Sequence, residues 1–524
     1  MQNAYTTSHT PLSAGKPRRR GKLTAREAMH AKRAKAPEIN PCPAGPKGGQ
    51  YKPLSDNDIQ QIYANALRIL SEIGMGEAPP ALMQQALEKG AFQNKAGRLC
   101  FPKAMVEQTI AGACRNFVFY GRDPKHDFEL GGDKVYFGTG GAAVQTLDLD
   151  SHTYRSATLA DLYDFTRLAD TLANVSWFTR CCVATDVTDI AELDINTAYA
   201  LVKGTTKPVG TSFTLKETVD PIIDMFDIAL GGKDKFRERP FCKAHISPVI
   251  SPLRYGEDAF DVALACIERG VPLNNIVAAQ SGATSPATIA GMLSSTLAET
   301  LAALLMVNVF APGYPMIFSN WPLVIDLRTG SFCGGGGEIT LLNAASAQLA
   351  NWLGLPSGAA SSMSDSKAVD AQMGLEKAMS SLGVGLAGCN MVYESSAMMA
   401  SLLGASFEAM LIDDEMLSQV YRVLRGIEVN EETLGFAAIE EAVYGEGHFL
   451  GSQHTMAAMQ RDYFWPTTLS DRQQPSAWEE GGATDMWQRA NTRVREILEQ
   501  HKPDYLSDEA DKQIRGGYPI RLEP

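Results

Sequence analysis

The sequence has little of what marks a metalloprotein or a disulfide-stapled scaffold. Its nine cysteines are an odd number without a C-x-x-C pair, and the adjacent Cys181 and Cys182 suit neither a zinc knuckle nor an unstrained disulfide. Reduced, mostly buried thiols are expected, as in a cytoplasmic protein. Of the eight histidines, the nearest approach to a ligand pair is His448 with His454. These are six positions apart and do not share a helix face, so no metal site is expected. No apolar run approaches the ~20 residues that cross a bilayer, and the best stretch, Leu301–Pro312, is broken by Asn308. There is no G-x-S-x-G elbow for a serine nucleophile. Arg18–Arg20 resembles an export signal only superficially, because Gly21–Lys35 is charged where such signals are apolar. No membrane partner is expected.

The charge present is unevenly placed. Over 524 residues the formal net charge is -13. The first 52 residues nevertheless carry eleven Lys/Arg against Glu27 and Glu38 alone, a net +9 that leaves -22 on the remainder. An acidic body excludes nucleic acid as the main partner, and the basic arm reads as a solvated tail or a contact to a neighbouring subunit of a homo-oligomer.

Residues 1–52 show no sustained apolar period and predict a mobile tail with one short helix at Thr24–Lys35. Residues 53–133 predict a helical segment. Ser55 can cap a first helix whose Ile59, Ile62, Tyr63, Ala66, Leu67 and Leu70 recur at helical spacing until Gly74 and Gly76; two more helices follow at Pro80–Lys89 and Pro102–Ala113. From 134 to 429 short β-prone runs alternate with amphipathic helical runs. The strand candidates start near Val135, Trp177, Pro208, Cys242, Ile276, Met316, Ser357 and Leu386. Eight β–α units over ~300 residues predict an α/β fold of TIM type, a closed (β/α)8 barrel, ahead of an open doubly wound sheet. Residues 430–524 predict a C-terminal helical extension lying on the outside of the barrel.

In such a barrel the chemistry sits on the loops that leave the carboxyl ends of the strands. Those loops contain Gly138–Gly141, Thr185-Asp186, Phe213-Thr214, His245–Ser247, Gln280–Gly282, Ser319–Trp321, Ser361–Asp365 and Tyr393-Glu394. They are rich in aromatics, hydroxyls and amides and poor in full charges. Gly383–Gly388 matches G-x-G-x-x-G but runs from helix into strand, the reverse of what a dinucleotide needs. Gly334–Gly337 precedes a helix and reads as a plain loop, with a lid or an anion nest as the alternative. Lys207 and Lys243, conceivable Schiff-base lysines, fall near strand starts, away from that face.

Longer stretches carry a resemblance. Gly121-Arg122-Asp123, Phe137–Gly140, Ser281-Gly282 with Ser285-Pro286, Gly354–Ser357, Ser364–Lys367, Asp370-x-Gln372-x-Gly374-x-Glu376-Lys377 and Gly388-x-Asn390-x-x-Tyr393 occur in order. From about Asp56 to near the end the chain resembles the trimethylamine:corrinoid methyltransferase family. The resemblance implies a TIM barrel that moves a methyl group from an amine to the cobalt of a corrinoid carried by a separate protein. In archaeal trimethylamine enzymes pyrrolysine precedes the Ser-Asp-x-Lys run, and here that position is Met363. Members without pyrrolysine resemble demethylases of quaternary amines, glycine betaine foremost. The chain's own nearest approach to a cobalt-ligating Asp-x-His-x-x-Gly run is Asp150–Arg155, which departs from it in spacing and in its last residue. The corrinoid is therefore expected on a partner protein, with none bound by this chain.

A quaternary ammonium already carries the charge that makes a neutral tertiary amine leave, so such a site needs orientation and a cradle rather than an acid. Aromatic faces supply that cradle at about 0.5–2 kcal/mol each. Phe137, Phe213, Trp321 and Tyr393 are the candidate rings, Glu299 and Glu338 the candidate counter-charges, and Gln280, Asn320 and His245 the candidates for binding a carboxylate or the partner's loop. Met363 is expected to fill the volume that pyrrolysine occupies elsewhere. The alternatives are a quaternary-amine-binding protein of the same fold without methyl transfer, and a trimethylamine methyltransferase.

Overall fold

A computed structural model of the chain describes residues 40–467 and 469–523; the helix expected at Thr24–Lys35 lies outside the described residues. Eight short strands form one sheet: β1 (Tyr136–Phe137), β2 (Phe178–Thr179), β3 (Val209–Thr211), β4 (Cys242–Ile246), β5 (Leu273–Val277), β6 (Met316–Asn320), β7 (Ser357–Ala360) and β8 (Met391–Tyr393). A helix follows each: α1 (Leu159–Asp170), α2 (Ile190–Gly204), α3 (Val219–Ala229), α4 (Glu257–Arg269), α5 (Ile289–Phe310), α6 (Gly337–Leu353), α7 (Ala371–Leu386) and α8 (Phe407–Arg425). Sequence neighbours pair in parallel from β2 round to β8, which pairs with β1.

The two terminal strands, two residues each, close the ring with little backbone ladder. Ser176 N donates to the Phe137 carbonyl at 2.8 Å and Thr139 N to the Trp177 carbonyl at 3.4 Å. The Thr139 hydroxyl then donates to the Thr179 carbonyl at 2.6 Å and accepts from Thr179 N at 2.9 Å, so a side chain extends the seam. The architecture is the expected (β/α)8 barrel. The eighth strand starts later than the sequence suggests. α7 continues through Leu386 because Gly385 packs closely against Phe137 and Leu424, and Gly388, at φ 86°, ends the turn before β8.

Strand register and the two-residue period of a strand decide which side chains fill the interior. Gly138, Gly210 and Gly358 face inward on β1, β3 and β7, and each gives its space to a larger neighbour. A Cβ on Gly138 would stand 2.3 Å from the Trp177 ring, one on Gly210 would stand 2.6 Å from both Lys243 Nζ and Thr179 Oγ1, and one on Gly358 would stand 2.1 Å from Ser319 Oγ. Large and small residues thus alternate around the barrel, which a closed eight-stranded interior requires.

One described helix, α5, is long and apolar enough to cross a membrane by length and composition. This corrects the expectation that no such run exists: Asn308 interrupts the sequence stretch but sits within the helix, where its amide donates to Thr109 Oγ1 at 3.3 Å. The helix is packed on its inner side by β5 and β6 and on its outer side by Asp56–Arg68, Pro80–Glu88 and Lys103–Gly112, with 78% of its apolar window buried. Covered over most of its surface, it needs no polar face.

The C-terminal stretch divides. Residues 466–523 belong to the compact unit formed by the barrel and the N-terminal helices, whereas Glu428–Trp465 belongs to a second unit. In the barrel unit, Met486–Gln500 packs on α8 and α1, where Asn491 Nδ2 donates to Glu408 at 2.8 Å. Tyr505 donates to Asp170 at 2.6 Å. The second unit holds Glu431–Leu434, Phe436–Tyr444 and Gln453–Arg461, with Arg461 paired to Glu432 at 2.7 Å.

Gly138→Ala places a methyl group into the Trp177 ring and is expected to cost about 1–3 kcal/mol by overpacking. A lowered thermal midpoint with an unchanged circular-dichroism spectrum checks this.

Candidate active site

The carboxyl ends of β4, β6 and β8 bring three rings into mutual contact. Trp321 and Tyr393 lie with centroids 5.1 Å apart, His245 and Trp321 5.6 Å apart, and His245 and Tyr393 5.8 Å apart. At these spacings no cation fits between the rings; they form one continuous wall. Tyr393 is fully buried and braced from below by Trp177 at 5.4 Å, whereas His245 is only partly buried. The wall is assembled by phase: His245 and Tyr393 occupy inward positions of β4 and β8, and Trp321, the residue after β6, continues that strand's inward phase, its N donating to the Val277 carbonyl at 2.9 Å.

Two buried ionisable groups adjoin Tyr393. Lys243 Nζ lies 4.6 Å from the centre of the Tyr393 ring and donates to Thr179 Oγ1 at 3.1 Å. Burial lowers its pKa to about 7, against the opposing pull of Cys242 and Glu394. Glu394 follows Tyr393 with a left-handed backbone, φ 62°. Its carboxyl group lies against Gly140 and Gly141, and Oε2 has no hydrogen-bond partner among the described residues. Burial raises it to about 8, against the opposing pull of Lys377 and Lys243. His245 is held well below the ordinary imidazole range by burial and then by Lys243 and Arg180, so the ring is neutral. Asn274 accepts from Ser319 through Oδ1 and turns its amide to His245 Nδ1 at 3.2 Å; as the network assigns it, the ring proton is on Nε2.

The loop that carries Glu394 is pinned by a buried ion pair. Lys377 Nζ meets Asp413 at 2.9 Å, both about 1% exposed, and Asp413 also accepts from Ala397 N at 2.9 Å. Positive φ recurs at Ala397, Ala400, Ser401 and Leu402, so the loop is held in conformations that L-residues disfavour.

A single carboxylate gathers the loops after β6, β7 and β8. Asp365 accepts from Gly334 N at 2.6 Å, Gly335 N at 3.2 Å and Ser401 Oγ at 2.7 Å. The segment Gly334–Gly337 is therefore a nest filled by the protein's own anion. Glu376 in turn accepts from Ser364 Oγ at 2.7 Å and Asp365 N at 2.8 Å. Met363 is buried under this clasp, its Cβ close against Gly334.

Of the sequence candidates, Trp321, Tyr393 and His245 come together and the others do not. Phe137 is in register with Val392 on the outward side and packs on Tyr421 of α8 at 5.2 Å. Phe213 is buried in the outward phase of β3, without a ring contact to the wall among the described residues. Asn320 is in the phase opposite to Ser319 and faces the helix layer, with both amide atoms unpartnered among the described residues. Gln280 closes a turn through its own backbone, its N donating to Thr284 Oγ1 at 2.9 Å. Glu299, buried on α5, accepts from Ser251 Oγ at 2.7 Å and Leu253 N at 2.6 Å, clasping the loop after β4 rather than facing the wall. Glu338 is exposed in the first turn of α6. Lys207 donates to the carbonyls of Ala169 and Val175 at 2.8 and 2.7 Å, a structural role below the barrel. His152 takes φ 55° in a tight turn and packs against Trp487 at 4.7 Å.

The sequence reading missed Lys243, which starts low on β4 but reaches upward, together with Glu394, Trp177 and Arg180. A signal was available: a charge inside an apolar strand run, as in WFTRCC and CKAHIS, has to point inward or to an end.

A closed barrel with an aromatic wall and buried ionisable groups at the carboxyl ends of its strands has the build of a barrel enzyme's active site. The family model "Trimethylamine methyltransferase (MTTB)" matches residues 18–521, and the chain belongs to that family. A glycine betaine methyltransferase from Desulfitobacterium hafniense (strain Y51) is 30% identical over 89% of this chain and 96% of its own length. The trimethylamine methyltransferase MttB of D. hafniense (strain DSM 10664 / DCB-2) is 30% identical over 88% and 92%, and that of Methanosarcina barkeri 28% over 90% and 97%. Among solved structures, the monomethylamine methyltransferase MtmB of Methanosarcina barkeri aligns over 88% of this chain and 96% of its own, at 14% identity and a TM-score of 0.46.

Lys377→Met leaves Asp413 buried without its cation and is expected to cost about 3–5 kcal/mol, while the pair K377M/D413L recovers most of that loss. Denaturant unfolding of the three proteins checks both values.

Proposed function

We propose that this enzyme demethylates a small quaternary amine, glycine betaine foremost, and passes the methyl group to the cobalt of a corrinoid carried by a separate protein. The observation that carries the reading is the wall of Trp321, His245 and Tyr393 at the strand ends, a neutral, polarisable surface suited to a fixed positive charge. The 30% identity to a glycine betaine methyltransferase supports the choice of substrate.

The chemistry asks little of the wall beyond placement. A quaternary nitrogen gives up CH3+ to a nucleophile and keeps the bonding pair, leaving a neutral tertiary amine with no proton to supply. The partner's corrinoid supplies that nucleophile. Trp321 and His245 hold the ammonium and exclude water, and a neutral His245 does not repel it. Met363 fills space under the Asp365 clasp and takes no part. The loops around the mouth fit a macromolecular partner: Val144, Ile250, Leu327 and Leu403, from four different loops, are exposed aliphatic side chains.

The charge below the wall sets the pH dependence. Lys243, lowered to about 7, loses its positive charge as pH rises through 7, and Glu394, raised to about 8, gains its negative charge as pH rises through 8. The pair thus passes from net positive at pH 6 to net negative at pH 9, which favours a fixed positive charge on the wall as pH rises. Binding of tetramethylammonium, whose charge does not titrate, is expected to tighten more than tenfold from pH 6 to 9, and Glu394→Gln is expected to abolish the upper part of that rise.

Isothermal titration with glycine betaine, with trimethylamine and choline as controls, tests the substrate. Saturable binding of glycine betaine that weakens about tenfold or more in Trp321→Ala is expected. Binding of trimethylamine alone overturns the proposal.

A further inference from the structure

Arg180 follows β2 at the mouth of the barrel. Its Nη2 donates to Ser212 Oγ at 3.2 Å, and its Nε is shielded from solvent without any hydrogen-bond partner among the described residues. Among the described residues no carboxylate lies within ion-pair distance of this guanidinium. The acidic group nearest in effect, Asp194 on α2, is already occupied by Thr214 N at 2.7 Å, Thr214 Oγ1 at 2.8 Å, Thr218 Oγ1 at 2.8 Å and Leu215 N at 3.3 Å. A partly buried guanidinium left without an anion is costly unless a ligand supplies one.

Its position points to that ligand. Thr211 on β3 is in register with Ala244 on β4, so Ser212 stands beside His245, and Arg180, bonded to Ser212, lies at the level of the His245 ring. That ring adjoins Trp321. A cation held on the Trp321–His245 wall therefore has a guanidinium on its β2–β3 side.

We infer that Arg180 is the carboxylate subsite of the pocket and makes the enzyme selective for zwitterions, in which a short spacer separates a quaternary nitrogen from a carboxylate. The inference rests on the cation-binding reading of the wall and adds the second pole of the substrate. The N–H donors of Arg180 not engaged by Ser212, Nε among them, suit a carboxylate geometrically. Ligands with the cation alone, such as choline or tetramethylammonium, use the wall without the subsite.

Titration of the full chain, with no corrinoid protein present, separates the two poles. Wild-type protein is expected to bind glycine betaine about 10- to 100-fold more tightly than its methyl ester or tetramethylammonium, the worth of a charge-assisted hydrogen bond. Arg180→Gln is expected to remove that difference by weakening glycine betaine, while tetramethylammonium binding is retained or tightened because a nearby positive charge is lost, which also reports that the variant is folded. Arg180→Lys is expected to restore part of the preference. Equal wild-type affinity for glycine betaine and its ester overturns the subsite and leaves the wall standing. Equal loss of both ligands in Arg180→Gln does the same by assigning Arg180 a structural role. Wild-type protein that binds neither glycine betaine nor tetramethylammonium overturns the wall reading and the subsite with it.

Discussion

A closed eight-stranded barrel is just wide enough inside for its inward side chains to fill, and in this protein glycines decide which of them can be large. Gly138, Gly210 and Gly358 yield their space to Trp177, to Lys243 with Thr179, and to Ser319. Everything at the mouth stands on that allocation. Trp177 fills the space beside Gly138 and supports Tyr393; Lys243 uses the space at Gly210 to rise under Tyr393; Tyr393 then fixes the tilt of His245 and Trp321. A methyl group added at any of the three positions is transmitted upward, because a close-packed interior relays displacement rather than absorbing it.

The ionisable groups inside are tolerated through different means. Lys377 and Asp413 neutralise each other at contact distance. Lys243 and Glu394 have no such contact, and burial instead moves each toward its uncharged form, so the interior avoids two full charges without forming a tight pair. Structural neutrality and responsiveness to pH thus come from the same burial. The loops add a third arrangement, in which the Asp365 side chain is met by the backbone amides of Gly334 and Gly335.

Much of the fold was legible in the sequence. Alternation of β-prone and amphipathic runs located all eight strands, because a parallel barrel repeats one local pattern. What was not legible was phase. Phe137 and Trp321 both stand at strand ends, and only register tells that one faces α8 and the other the mouth. The reach of a side chain was equally hidden: Lys243 begins at the wrong end of β4 and finishes under the site. Glu299 and Glu338 could not be told apart from spacing, since one is buried by a loop distant in sequence and the other is left in solvent. The ordered motifs from Ser364 to Lys377 were recognisable as a family signature, yet their visible work is to tie three loops together.

The placement of α5 has a consequence for synthesis. Its outer cover, the helices between Asp56 and Gly112, and its first inner neighbour, β5, all precede it in the chain. When this bilayer-compatible segment leaves the ribosome, most of the surfaces that shield it already exist, which shortens the time during which it is open to aggregation or to a membrane. The N-terminal helices thereby act as a cover made in advance of the element that needs it.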